Sequence, residues 1–155
     1  MSVAFRRESD EEHLELKFEL PIPPGPNLVT PRGKKLIDEK ADELERLVAA
    51  EADEVRRQSL LRDLRYWKTR RATAEPSPPP APGEVGIGSR VTYRQAGWTR
   101  VVEIVGTDEA DPVAGRVGFR SPLARALLGA VEGERVDFGG VAEALEVVAV
   151  SDGQG

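Results

Sequence analysis

The 155-residue sequence has no cysteine and only one histidine, His13. Without thiols there is no disulfide framework and no thiolate zinc site. His13 stands among Glu11, Glu12 and Glu15, and a lone imidazole on so polar a stretch reads as a solvated side chain, not a metal ligand. Aromatic residues are scarce at 5%, against 32% charged residues. That composition suits a small core joined to a charged helical region better than one large core. No apolar run approaches the roughly 20 residues of a membrane span, and the N-terminus lacks the hydrophobic segment of a signal peptide. A soluble cytoplasmic protein is therefore expected. The net charge of −5 argues against uniform wrapping of nucleic acid.

What is present falls into five stretches. Residues 1–29 are polar and then proline-rich, and Pro21, Pro23, Pro24 and Pro26 exclude regular helix or a central strand. A flexible arm is expected there. Thr30-Pro31 then makes a helix start, a capping hydroxyl followed by a proline in the first turn. Beyond it, neither glycine nor proline recurs from Lys34 to Glu75. Ile37, Ala41, Leu44 and Val48 step as a coiled-coil seam. The same register continues into Glu51, Val55, Gln58 and Arg62, so the apolar seam fails, and a new one starts at Leu60 or Leu61 and runs through Leu64 and Trp67. The break around Ala50 to Gln58 predicts two antiparallel helices over residues 30–75, with one long helix as the competing arrangement.

The two arms differ in charge. Lys34 to Glu54 holds eight acidic and four basic residues, whereas Val55 to Glu75 holds seven basic and two acidic. Opposite-sign helices can pair across a hairpin, and most such charges are solvated. The other reading is a basic face, Arg56, Arg57, Arg62, Arg65, Lys68, Arg70 and Arg71, turned toward RNA or the wall of a charged channel.

Residues 76–83 are proline-rich and predict a semi-rigid linker in polyproline II conformation. Residues 84–151 then form a second domain, with a tail at 152–155. Strands are expected at Arg90–Arg94 and Thr99–Val105, joined by a turn at Gln95-Ala96-Gly97, and at Ala144–Val150 after Gly139-Gly140. Between them, Asp111-Pro112 and Gly115 punctuate a turn. Ser121 caps a short helix that has Pro122 at its first position, Leu123 and Leu127 on one face, and Gly129 as a left-handed terminator. The fold class is α+β.

The string from Ile104 to Val136, IVGTDEADPVAGRVGFRSPLARALLGAVEGERV, resembles the C-terminal domain of the Gre (GreA/GreB) transcription elongation factors over about thirty consecutive positions. Leu28-Val29-Thr30-Pro31-Arg32-Gly33 resembles the opening of the Gre N-terminal domain, in the correct order. The resemblance implies an N-terminal antiparallel helical hairpin, or coiled coil, and a C-terminal FKBP-like antiparallel sheet with one short helix. It implies RNA polymerase as partner, with nascent RNA reached through the polymerase channel, no membrane, and a monomer. It implies no cofactor of the chain's own, but a Mg²⁺ ion shared with the polymerase active centre.

By the same resemblance Asp108, Glu109, Asp111, Arg120, Ser121, Pro122 and Leu123 would form the edge that docks on polymerase. The family's catalytic tip loop, of the form G-D-x-S-E-N-A, does not occur here. Glu51, Asp53 and Glu54 are the candidate tip acids. Each arm has about 20 residues, so ~30 Å at ~1.5 Å per residue, several turns short of the family's probe. The departure leaves two expectations: an elongation factor acting on paused or backtracked complexes, or a non-cleaving channel competitor of the Rnk type. A prolyl isomerase, suggested only by the fold, would need an aromatic-lined pocket that four aromatic residues beyond Glu84 do not readily furnish.

Overall fold

The computed structural model describes residues 19–154, so His13 and the first 18 residues lie outside the described part. Two compact units are present. Among the described residues, one comprises 19–24 with Ile37–Ala72; the other comprises Gly25–Leu36 with 73–154.

The helical region is a hairpin. Helix α1 runs Pro31–Ala50 and helix α2 runs Glu54–Thr73, each 20 residues, joined at Glu51–Asp53. The break in apolar register thus marks a turn, although no glycine is there to make it. The predicted cap is formed: Thr30 Oγ accepts from the N–H of Gly33 at 2.9 Å, with Pro31 at the first helical position. Ile37, Ala41 and Leu44 of the predicted seam are buried, as is Leu64 on α2, whereas Val48, Leu60, Leu61 and Trp67 are half-buried. Toward the end of α2 the buried position is Arg70, only 2% exposed. Arg71 next to it reaches across to α1, 3.1 Å from Asp42 and 3.1 Å from Glu45. Here the opposite charges of the two arms meet.

The second unit contains two sheets. In the smaller, β1 (Asn27–Val29) lies parallel to β2 (Ala74–Pro76). The end of the expected flexible arm is therefore a strand, with Asn27 and Val29 buried. The proline bar fails here because β1 begins after Pro26. The larger sheet has the order β5-β4-β3-β7-β6. Its strands are β3 (Ser89–Gln95), β4 (Trp98–Val105), β5 (Arg116–Gly118), β6 (Arg135–Phe138) and β7 (Val141–Asp152). Three of its four pairings are antiparallel, but β5 runs parallel to β4, so the sheet is mixed. The parallel pair follows from the irregular crossover between them, which holds two short 3₁₀ turns, Thr107–Glu109 and Pro112–Ala114.

Two tight hairpins set the register. Ala96 and Gly97 both have positive φ, 50° and 82°, as do Gly139 and Gly140, 61° and 80°. Two-residue loops with this signature match the right-handed twist of the strands they join. Val91, Tyr93, Val102, Ile104, Leu145 and Val147 then share the core side of the sheet. Helix α3 (Pro122–Leu127) covers them with Ala124 and Leu127. Fully burying a residue such as Leu127, Ile104 or Leu145 is worth about 1.5–3 kcal/mol each.

The proline-rich run does not stand clear of this unit. Pro79, Pro80 and Pro82 line a cleft of about 400 Å³ together with Ile87 and Val150. A Cβ on Gly86 would meet the Pro80 side chain at 2.5 Å, so a glycine there permits the close approach. The terminal residues are equally engaged: Gly153 is buried, and Gln154 hydrogen-bonds both Arg32 and Glu103.

Candidate functional site

Three groups of residues carry the functional expectations. The first is the crossover after β4. Gly106 must be glycine, because a Cβ would lie 2.5 Å from the Leu28 carbonyl oxygen of β1. The chain then makes its first 3₁₀ turn, and the backbones of Asp111 and Arg116 exchange hydrogen bonds at 2.9 and 3.0 Å. This closes the acidic turn, with Asp111 exposed and Asp108 half-buried.

Glu109, expected on the docking edge, is instead buried at 4% exposure. It accepts a hydrogen bond from the Thr30 hydroxyl and one from Arg32 Nε at 2.6 Å. A carboxylate so engaged is an internal anchor, unable to reach a partner. Arg32 also pairs with buried Glu103 of β4, to which Gln154 donates at 3.2 Å. This cluster of Thr30, Arg32, Glu103, Glu109 and Gln154 was not foreseen from the sequence. One signal was available: Glu103 interrupts the apolar run VVEIV, and a charge inside a buried strand requires a partner.

The remaining docking residues cluster at the start of α3. Ser121 caps the helix, its hydroxyl accepting from the Ala124 N–H at 3.3 Å. Pro122 occupies the first helical position and is exposed, as is Arg120. Leu123 is partly buried against the core. Arg120, Pro122 and Asp111 therefore offer side chains to solvent, whereas Ser121 and Leu123 first serve the helix.

The second group is the hairpin tip. Glu51 accepts from the N–H of Asp53 at 3.2 Å and lies 3.6 Å from the Arg56 guanidinium. Asp53 accepts from the N–H of Arg56 at 3.0 Å, a cap on α2, and Glu54 accepts from Gln58 at 2.9 Å. Acids at a helix N-terminus stabilise it through the orphan N–H groups and the helix dipole. Among the described residues no three Asp, Glu or His side chains are gathered where they could hold a metal ion. The tip acids thus serve the start of α2, with Glu51 half-buried and Asp53 and Glu54 exposed.

The third group is the basic face of α2, which the structure does not assemble as one surface. Arg70 is buried and Arg71 is held by Asp42 and Glu45. Arg65 is held by Glu19, with contacts of 3.1, 3.0 and 2.5 Å. Their hydrogen bonding keeps the Glu19 carboxyl below its ordinary range and the Arg65 guanidinium above its own. Arg62 is half-buried; Arg56, Arg57 and Lys68 are exposed.

A charged helical hairpin together with a mixed five-stranded sheet bearing one Ser-Pro-capped helix defines a two-part α+β protein, and comparison with known proteins identifies the sheet part. Residues 79–152 match the model of the family described as transcription elongation factor, GreA/GreB, C-terminal domain. Transcription elongation factor GreA of Lactococcus lactis subsp. cremoris (strain MG1363) is 44% identical over 59 residues, 37% of this chain and 38% of that protein. GreA of Verminephrobacter eiseniae (strain EF01-2) is 40% identical over 81 residues, 45% of this chain and 51% of that protein. The chain thus spans between about two fifths and half of the length of these curated relatives. Among solved structures, a prokaryotic GreA/GreB factor from Nitrosomonas europaea aligns over 83% of this chain and 99% of its own, at 20% identity and a TM-score of 0.41.

Proposed function

We propose that this protein binds bacterial RNA polymerase at the secondary channel, docking through its C-terminal domain, and modulates elongation of paused or backtracked complexes. The observation that carries the reading is the match of residues 79–152 to the GreA/GreB C-terminal family model. The exposed corner of Arg120 and Pro122 beside the acidic turn is the surface it would use. It acts as a monomer, with exposed Arg56, Arg57 and Lys68 as the residues able to meet nascent RNA in the channel. Exposed cations of this kind add salt-dependent affinity without sequence preference.

The hairpin favours the non-cleaving form of this activity. Its tip acids are occupied as helix-start acceptors, and its arms are ~30 Å long. A factor of this build occupies the channel mouth and competes with longer factors. The test is displacement of a labelled GreA from polymerase by the full-length chain. Displacement by the wild type, weakened at least tenfold by Arg120→Glu with Pro122→Ala, is the expected result. No displacement at saturating concentration would refute the docking reading.

A further inference from the structure

The first half of β4 is an open sheet edge. In the Gln95–Trp98 hairpin, Trp98, Arg100 and Val102 direct their backbone groups to β3, and the alternate residues Thr99, Val101, Glu103 and Val105 direct theirs outward. Outward groups further along are used: the Glu103 N–H donates to Gly115 at 2.9 Å, and the Val105 carbonyl accepts from Phe119 at 2.8 Å. β5 pairs with β4 only from Glu103 to Val105. Gly115 passes close to the Val101 carbonyl, which leaves the N–H and C=O of Thr99 and the N–H of Val101 without a backbone partner among the described residues.

The side chains flanking this gap are unusual for a solvated edge. Trp98 is 69% exposed and Val101 51%. Natural edges are ordinarily blunted by charged side chains, proline or a bulge; between Trp98 and Val102 there is neither proline nor bulge, and Arg100 is the one charge. Arg100 is exposed, and neither it nor half-buried Arg116 has a carboxylate partner among the described residues.

We infer that the β4 edge at Trp98–Val101 receives an extended acidic segment of a partner protein by strand addition. An antiparallel strand exchanges two hydrogen bonds with Thr99 and gives a carbonyl to the Val101 N–H. Its apolar residues lie beside Val101, and its acidic residue opposes Arg100. A second copy of this chain fits worse. The self-pairing register that uses both Thr99 and Val101 sets Arg100 opposite its own counterpart, and like charges directly opposed are destabilising. This edge is separate from the Arg120–Pro122 corner, and the inference does not depend on the polymerase reading.

The probe is a fluorescent hexapeptide, Glu-Val-Glu-Val-Glu-Val, titrated into the full-length protein. Saturable binding is expected, with Thr99 and Val101 amide exchange slowed at least tenfold. The same peptide N-methylated at each valine loses its donors and should not bind. Arg100→Glu should weaken the acidic peptide at least tenfold and bind a Lys-Val repeat instead, while leaving the sheet's own ladder intact. No saturation at millimolar peptide, equal binding of the N-methylated peptide, or protection falling elsewhere would each overturn the proposal. A dimer in sedimentation that Val101→Pro abolishes would overturn the choice of occupant.

Discussion

Arg32 Nε donates to Glu109 at 2.6 Å, tying the first turn of α1 to the 3₁₀ turn that follows β4. Glu109 is buried, and its other oxygen accepts from Thr30, the residue that caps α1. Glu109→Ala should therefore destabilise the protein by about 2–3 kcal/mol. The lost hydrogen bonds leave a buried hydroxyl unsatisfied and remove one of the two carboxylates that compensate Arg32. Arg32 is partly exposed and keeps Glu103, which holds the loss below that of a fully orphaned buried charge. Glu109→Gln, retaining an acceptor, should lose less. Urea denaturation midpoints compared across the three proteins check this order.

Tyr93 supplies a pH signature. Burial in the sheet core pushes its hydroxyl up in pKa, and nearby Arg100 only partly opposes the rise. As pH passes ~10, the unfolded chain ionises before the folded one. Stability is therefore intact below ~10 and falls above it, until the folded tyrosine also ionises. Tyr93→Phe should flatten this alkaline loss. Equal slopes in wild type and variant between pH 9 and 11 would show that Tyr93 is not its source.

The β3–β4 turn offers a stabilising change. Ala96 sits at φ 50°, where a Cβ is strained, and it precedes Gly97 in a two-residue loop. Asparagine tolerates this conformation and completes the Asn-Gly pair favoured in such turns. Ala96→Asn should raise stability by about 0.5–1 kcal/mol. A lower melting temperature would mean that the strain is relieved some other way.

Local chemistry was the legible part of this protein. The Thr30 and Ser121 caps, the prolines after them, the Ala96-Gly97 and Gly139-Gly140 turns and the seam through Ile37, Ala41 and Leu44 each follow from two to eight neighbouring residues. Long-range pairings were not legible. Nothing in the spacing says that Asn27–Val29 lies beside Ala74–Pro76, that Pro80 folds onto Gly86, or that Arg32 meets Glu103 and Glu109 more than seventy residues away. The resemblance puts Glu109 on a docking edge with Asp108 and Asp111, yet it is buried. A buried acceptor and a wet one look alike in sequence until the donor is known. Arg70 shows the same thing on α2, where a seam position holds a cation that charge counting places outside.

The tip gives the sharpest functional prediction. Transcript cleavage should be weak or absent, because the carboxylates that would serve it hold α2 in place. Asp53 caps α2 and Glu51 bridges Asp53 and Arg56. Freeing either carboxylate breaks the turn that positions it, at a cost of about 1 kcal/mol for the cap alone. Catalytic carboxylates tolerate little misplacement, since an error of ~1 Å can cost about a hundredfold in rate. Asp53→Asn leaves an acceptor in the capping position, because asparagine caps about as well as aspartate. It should therefore preserve the helix, the binding to polymerase and the competition with GreA. Asp53→Ala should lower helix stability while changing RNA cleavage no more than Asp53→Asn does. Cleavage by stalled elongation complexes, followed with the wild type and both variants, separates the two roles. Robust cleavage lost in Asp53→Asn, with competition intact, would make Asp53 a catalytic group and overturn the proposal of a non-cleaving factor.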